Sequence, residues 1–271
     1  MKTFDPARIR RTILDMAHSG ATVHIGCAFS IVELLAVLYR NHVRFDRHDP
    51  RSPDRDYMVL SKGHGVMALY ACLHEVGWLS DDDIAGYFKD GTRLKGLADV
   101  HVPGVESSAG SLGHGLSVGV GMALAAKLAG TDQRCYVVVG DGELNEGPIW
   151  EGVLFAAHFK LDNLIVIVDK NGFQAMGSTD EVIGLGDIAA KFEAFGFDAE
   201  TIDGHDERAI DASLRAMADR RNDRPKVLVA TTVKGRGVSF MEHQNVWHYT
   251  RLTDATHGAA IAELAAHEAE P

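Results

Sequence analysis

Two runs of almost purely apolar residues lie near the middle of the chain, and each is followed by a polar segment that contains glycine. Tyr136–Val139 precedes Gly140-Asp141-Gly142, and Leu164–Val168 precedes Asp169-Lys170-Asn171-Gly172. Apolar runs without alternation are typical of strands that are covered on both faces of a parallel sheet. Segment 148–160 between the runs predicts a crossover helix, which completes a strand–helix–strand unit.

The remaining apolar pattern predicts further strands of the same sheet and helices on its faces. The additional strands are Tyr57–Leu60, Phe197–Ile202 and Lys226–Thr232. Helical spacing predicts the helices, which are Pro6–Ala17, Ile31–Tyr39, 66–73, 116–128, Asp187–Phe195, Ile210–Arg221 and Ala255–Ala269. Ser30 is expected to cap the second helix, with Glu33 completing a capping box. No internal repeat or low-complexity tract is present, so we expect one α/β domain over residues 1–271.

Composition and charge exclude several classes of function. The chain is 46% hydrophobic and 24% charged, which is ordinary for a globular protein with a core. A formal net charge of −11 gives no basic surface for nucleic acid and would repel an anionic membrane. Cys27, Cys72 and Cys135 lack metal-binding spacing and indicate reduced thiols. The chain shows no secretory signal and no apolar run of membrane length, so we expect a cytoplasmic protein.

Asp141 and Asn171 are the first candidate site residues. They lie 30 positions apart (171 − 141), and each follows a buried strand at the sheet edge where α/β proteins bind ligands. Their hard oxygens suit Mg²⁺ or Ca²⁺ rather than zinc, and Mg²⁺ usually completes its shell with phosphate oxygens. Glycines at 140, 142 and 147 allow close approach of a diphosphate. The alternative is that both segments are ordinary turns. A second polar residue after a second buried strand argues against that alternative.

This pattern resembles the thiamine diphosphate (ThDP) motif, and the intervening residues are similar to those of the transketolase family. The similar segments cover nearly the whole chain, and those around the motif are 143–151, 156–158 and 160–164. The resemblance implies a three-layer ThDP-binding fold with a parallel sheet, of the diphosphate-binding type. It also implies that Asp141, Asn171 and the backbone oxygen of Phe173 hold Mg²⁺, or Ca²⁺, against the two phosphates of ThDP.

Three histidines in glycine-rich loops match blocks of the same family. His24 lies in a His-x-Gly-x-x-x-Ser block that ends at Ser30, His64 lies in Ser61-Lys62-Gly63-His64, and His248 follows Trp247. We expect these histidines to transfer protons and bind sugar hydroxyls, because a neutral imidazole can donate and accept. Lys234, between glycines after the last strand, is a candidate point charge for a diphosphate. The full set expected to contact the cofactor is His64, Gly110, Leu112, Gly113, Asp141, Gly142, Glu143, Asn171, Lys234 and His248.

One block departs from the family. Common transketolases have Gly-His-Pro-Glu upstream of Pro-Gly-Val-Glu, whereas this chain has Gly96-Leu97-Ala98-Asp99 upstream of Pro103-Gly104-Val105-Glu106. Leu97 therefore replaces a histidine that is normally close to the donor sugar. Two interpretations stay open: His101 compensates and the substrate is an ordinary sugar phosphate, or the donor is an unusual ketose.

The resemblance also implies a partner. In transketolases the glutamate that activates the aminopyrimidine of ThDP comes from a second domain of another subunit, and this chain has room only for the diphosphate-binding domain. We therefore expect the N-terminal subunit of a split transketolase, with a separate chain carrying the pyrimidine-binding and C-terminal domains in a two-plus-two heterotetramer. The alternatives are a subunit like deoxyxylulose phosphate synthase, one like 2-oxo acid dehydrogenase E1, or a ThDP-binding assembly subunit without catalysis.

Overall fold

A five-stranded sheet forms the centre of the computed structural model, which describes residues 3–269 and the side chains up to residue 266. Its spatial order is β1-β2-β3-β5-β4, and every neighbouring pair is parallel. The strands are β1 Tyr57–Leu60, β2 Cys135–Gly140, β3 Leu164–Lys170, β4 Asp198–Asp203 and β5 Lys226–Thr231. The predicted α/β fold with a parallel sheet is confirmed.

Helices cover both faces of the sheet. They are α1 Pro6–Ser19, α2 Ile25–Phe29, α3 Val32–Val37, α4 Val66–Val76, α5 Asp81–Ala85, α6 Gly115–Ala129, α7 Gly147–His158, α8 Thr179–Ile183, α9 Ile188–Ala194, α10 Glu207–Asp219 and α11 Asp254–Ala269. Asp5 caps α1 by accepting from the backbone N–H of Arg8, and Pro6 occupies the first turn, as predicted. None of the helices within residues 3–269 is long and apolar enough to cross a membrane.

Two separate hydrophobic clusters explain why the central strands have no polar alternation. Val138 and Ile167 belong to one cluster, and their neighbours Val137 and Val166 belong to the other. Successive side chains of a strand point to opposite faces, so both faces of β2 and β3 are buried under helices. The clusters give the chain three layers, helix–sheet–helix.

The predicted cap at Ser30 is wrong. The residue ends α2, and α3 begins at Val32 without a side-chain cap. The Ser30 hydroxyl instead donates to the buried carboxylate of Asp169 at 2.7 Å. Burying a carboxylate without donors is costly, so this long-range hydrogen bond outweighs the local capping preference. Glu33 also lacks the predicted capping role, because its carboxylate pairs with Arg10.

Candidate active site

Strand register brings Asp141 and Asn171 to one cleft. Gly140 of β2 is the Cα partner of Asp169 of β3, so the two following loops leave the sheet side by side. One oxygen of Asp141 accepts from the Gly142 N–H at 2.8 Å, and the other accepts from the Gly172 N–H at 2.6 Å. Both side chains line a cleft of about 300 Å³. The predicted convergence of the two loops is therefore present in the structure.

The carboxylate of Asp141 has the environment of a cation ligand. It is 2% exposed, and burial followed by the nearby charge of Asp169 raises its pKa to about 7. Within the described residues it forms no ion pair with lysine, arginine or histidine. A divalent cation would supply the missing charge, and oxygen donors of this kind are those that Mg²⁺ prefers. The residues present fit a magnesium ion.

Asp169 fixes the orientation of Asn171. Its fully buried carboxylate forms a salt bridge with Lys62 and accepts hydrogen bonds from Ser30 and Thr232. It also accepts from the Asn171 Nδ2 at 2.8 Å, so the amide oxygen of Asn171 is directed away from it. Sequence reasoning missed this role of Asp169 and Lys62, because the charged partners lie 107 positions apart.

Glu143 ties three glycine-bearing loops together. Its Oε1 accepts from the Ser61 hydroxyl at 2.5 Å and from the Gly113 N–H at 2.9 Å, and its Oε2 accepts from the Gly140 N–H at 3.1 Å. Burial raises the pKa of Glu143, and these three donors partly offset the effect. Glu143 lines the cleft. Gly113 is not among the lining residues, and its N–H donates to Glu143 instead.

The three histidines converge at the same cleft. Their ring centroids are 5.4 Å apart for His24 and His64, 5.1 Å for His24 and His248, and 5.5 Å for His64 and His248. His24 has a left-handed backbone with φ 71°, and its N–H donates to the carbonyl of His248 at 2.9 Å. Strained backbone of this kind occurs often at functional sites.

All three imidazoles are neutral near pH 7. Burial and then the charge of Lys234 lower the pKa of His248 to about 3. Burial is also the main cause that lowers the pKa of His24 and places the pKa of His64 well below its usual value. A neutral imidazole can accept a proton at one nitrogen and donate at the other, which is the property a hydroxyl-handling site requires.

Most of the residues predicted for the cofactor line the cleft. The lining set includes His24, His64, Gly110, Leu112, Asp141, Gly142, Glu143, Asn171, Phe173 and His248. Lys234 is not among them, because it is fully buried and its ammonium donates to His248 Nδ1 at 2.9 Å and to Asn245 Oδ1 at 3.0 Å.

Gln174 is a lining residue that sequence reasoning missed. Its Nε2 is buried without a hydrogen-bond partner, and its side chain packs against Gly142, where a Cβ would approach the Gln174 Cγ to 2.7 Å. An unpaired buried donor beside Asp141 and Asn171 fits a ligand that carries phosphate oxygens. The sequence offered no signal for this residue beyond its place in the loop after Asn171.

Leu97, and not His101, reaches the cleft. Leu97 lines it and lies so close to the backbone of Gly110 that a Cβ there would meet the Leu97 Cδ1 at 2.8 Å. The imidazole of His101 is 87% exposed and bonded to the carboxylate of Asp99 at 2.7 Å. An apolar side chain therefore occupies the part of the cleft for which His101 was the alternative candidate.

A buried cluster of Arg10, Glu33 and His205 holds the Lys234 loop. Glu33 bonds Arg10 at 2.7 Å and His205 Nδ1 at 2.9 Å. Arg10 donates to the carbonyl of Arg236 at 2.8 Å, and His205 Nε2 accepts from the Val233 N–H at 2.8 Å. The cluster therefore fixes the backbone on both sides of Lys234, a role that no local sequence signal revealed.

Replacing Glu33 with glutamine should destabilise the protein by about 3 kcal/mol at pH 7, since it leaves Arg10 buried without a counter-ion. Burial opposes the charge of Glu33, but Arg10 and then His205 lower its pKa from 4.5 to about 2. Its stabilising contribution is thus fully present above pH 4.5 and is lost as pH falls towards 2. Denaturant unfolding of wild type and Glu33→Gln across this range measures the effect.

The matched control for this prediction is Glu193→Gln, an exposed glutamate of α9. It should change stability by less than about 0.5 kcal/mol. A difference between wild type and Glu33→Gln that stayed constant down to pH 2 would contradict the ion-pair explanation.

Comparisons with known proteins identify the family of the chain. The family described as "Transketolase, thiamine diphosphate binding domain" matches residues 6–268. An apulose-4-phosphate transketolase subunit of Actinobacillus succinogenes is 42% identical, with 89% of this chain and 87% of that protein covered. The 6-deoxy-6-sulfo-D-fructose transketolase subunit SqwG of Clostridium sp. is 38% identical, with 94% and 93% covered.

Solved structures of transketolases have the same fold as this chain. The transketolase of Campylobacter jejuni superimposes with a TM-score of 0.91 at 29% identity over 97% of this chain. The match covers 43% of that longer protein, so this chain corresponds to less than half of it.

Proposed function

The chain belongs to the family of transketolase thiamine diphosphate-binding domains, and on that premise we propose that it is the diphosphate-binding subunit of a two-chain transketolase. The complex would move a two-carbon ketol unit from a ketose to an aldose, with ThDP and Mg²⁺ as cofactors. The single observation that carries this proposal is the pairing of Asp141 and Asn171 in one cleft under three neutral histidines. Relatives of nearly the same length are named transketolase subunits.

The metal and the diphosphate have residues suited to hold them. Asp141 and Asn171 would ligate Mg²⁺ through side-chain oxygens, with the carbonyl of Phe173 as a third ligand. Gln174 would donate its unpaired N–H to a phosphate oxygen. When bound, ThDP supplies a carbon nucleophile and an electron sink for cleavage of the ketose C2–C3 bond.

The histidines act on the protons of the sugar. Breaking the C2–C3 bond requires removal of the proton from the C3 hydroxyl, and addition to the acceptor aldehyde requires a proton on the new hydroxyl. His24, His64 and His248 would hold and return these protons, because each imidazole is neutral and their rings surround one point of the cleft. Lys234 would keep His248 oriented through its bond to Nδ1.

The donor sugar is proposed to be a modified ketose that carries an anionic group. The relatives are named for apulose 4-phosphate and 6-deoxy-6-sulfofructose. In this chain Leu97 offers no hydrogen bond where an ordinary transketolase has a histidine, which favours a donor with a different substitution on that side. A screen of ketose phosphates and sulfonates against the reconstituted complex tests this point.

An exposed apolar face on α6, α7 and the residue that follows α7 suits the partner. Its members are Val118, Leu128, Leu154, Phe155 and Phe159, which are 37–79% exposed. The two helices pack against each other, and a concentration of exposed apolar side chains is typical of interaction sites. The expected occupant is the chain that carries the pyrimidine-binding domain, in a complex of two chains of each kind.

Replacing Leu154 with aspartate should weaken association with the partner roughly tenfold or more, because a charge would be buried in the interface. The fold should be unaffected, since Leu154 is 59% exposed. Ala216→Asp, on the exposed side of α10 across the sheet, is the matched control and should leave association unchanged. Analytical ultracentrifugation of the mixed subunits measures both. Equal association of the two variants would contradict this assignment of the face.

The proposed reaction is tested by giving the reconstituted complex either a ketose donor or pyruvate. Ketol transfer from the ketose to an aldose is the expected result. Turnover of pyruvate alone would favour a deoxyxylulose phosphate synthase-like or a 2-oxo acid dehydrogenase-like subunit. Turnover that persists unchanged in Asp141→Ala would show that this chain serves only assembly.

A further inference from the structure

Cys27, His64 and His248 form a cluster whose ligand atoms all lie within 4.8 Å of one another. The thiol comes from α2, the two imidazoles come from the segments after β1 and before α11, and all three residues line the cleft. The proposed transketolase chemistry uses the two histidines but has no role for Cys27. The cluster also differs in kind from the oxygen donors of Asp141 and Asn171.

One pair of the cluster, Cys27 and His248, has the spacing of two zinc ligands. With Zn–S near 2.3 Å and Zn–N near 2.05 Å, two ligands of a tetrahedral zinc lie about 3.6 Å apart for sulfur and nitrogen. The Cys27 Sγ and the His248 Nδ1 are separated by 3.5 Å. The third ligand, from His64, lies within 4.8 Å of both atoms and would have to move closer to share the same ion.

Two neighbouring lysines, Lys234 and Lys62, affect metal binding at this cluster. Lys234 donates to His248 Nδ1 at 2.9 Å and must release that nitrogen, but it keeps its bond to Asn245 at 3.0 Å. Lys62 is already neutralised by Asp169. The cost of displacing Lys234 means that binding should be reversible by a chelator, unlike binding at a closed structural zinc site.

We propose that Cys27, His64 and His248 bind a thiophilic divalent cation such as Zn²⁺, separately from the magnesium position. The Cys27 thiol loses its proton to solvent, and the thiolate and two neutral imidazole nitrogens coordinate the ion. Soft sulfur and imidazole ligands select zinc over magnesium, so the two positions discriminate between the two metals. A bound zinc ion would coordinate two of the three histidines and block the cleft. Free zinc should therefore inhibit the complex.

Cobalt titration of the full, metal-free chain without ThDP tests the proposal, because Co²⁺ replaces Zn²⁺ in such sites and is coloured. One equivalent of Co²⁺ should produce a thiolate charge-transfer band and the intense visible bands of four-coordinate cobalt. Zn²⁺ should abolish both bands, and Mg²⁺ should leave them in place. This readout does not depend on transketolase activity, so it can fail or succeed independently of the proposed function.

Variants decide which thiol is responsible. Cys27→Ser should lose the charge-transfer band, and Cys27→Ala provides a second variant without a hydroxyl. Cys72→Ala and Cys135→Ala, which remove the other buried thiols, should keep it. In the reconstituted complex, we expect Zn²⁺ to inhibit the wild type more than Cys27→Ser. The ratio of activity with Zn²⁺ to activity without it should therefore be closer to one in Cys27→Ser. A wild-type chain that is folded by circular dichroism and gives no band, or an equal band in Cys27→Ser, would overturn the proposal.

Discussion

Replacing Asp141 with alanine should reduce the affinity for ThDP in the presence of Mg²⁺ by about 10²-fold or more and abolish ketol transfer by the complex. Changes to residues that only support metal ligands already cost about 10- to 100-fold, and Asp141 supplies the carboxylate itself. The apo protein should retain its fold, since burial and the charge of Asp169 disfavour the ionised carboxylate of Asp141. Isothermal titration calorimetry with ThDP and Mg²⁺ measures the affinity.

The matched control is Asp82→Ala, which removes an exposed aspartate of α5. It should bind ThDP as the wild type does. If Asp141→Ala retained wild-type affinity that still required Mg²⁺, the metal would lie elsewhere and Asp141 would not be its ligand.

The second large effect is expected for Lys62→Met, which should destabilise the protein by about 3–5 kcal/mol, because it leaves a buried carboxylate without its counter-ion. The side chains of Lys62 and Asp169 are 1% and 0% exposed. Burial alone would lower the pKa of Lys62, but Asp169 raises it, so the lysine is charged in the folded protein. Denaturant unfolding at pH 7 measures the loss.

A double-mutant cycle with Asp169→Asn separates the ion pair from simple packing. If the pair accounts for the effect, the double variant should be more stable than the sum of the two single changes predicts, by about 1–3 kcal/mol. Additive losses would mean that the lysine contributes mainly through its buried methylene groups.

The sequence was most informative where local pattern and topology agree. Uninterrupted apolar runs predicted β2 and β3, and parallel strands place their carboxyl ends at one edge, so the proximity of Asp141 and Asn171 followed from topology alone. The histidine loops were found because glycine-flanked polar residues follow strands or precede helices at that edge. Similarity to a known family added the identity of the ligand that such loops bind.

Long-range polar contacts could not be predicted in the same way. Ser30 resembled a helix cap, but its hydroxyl serves Asp169, which lies 139 positions away. The bond between His205 and Glu33 spans 172 positions and joins a turn to a helix. Such contacts depend on how the layers pack and leave no periodic signature. The same limitation left open whether His101 compensates for the histidine that Leu97 replaces, and the structure places only Leu97 in the cleft.

A crystal structure of the chain with its partner, ThDP and Mg²⁺ is the decisive test of the proposed magnesium site. We expect one metal ion at about 2.0–2.1 Å from side-chain oxygens of Asp141 and Asn171, with the carbonyl of Phe173, two phosphate oxygens and one water completing a six-coordinate shell. ThDP bound elsewhere, or Asp141 and Asn171 turned away from each other with no metal between them, would contradict it.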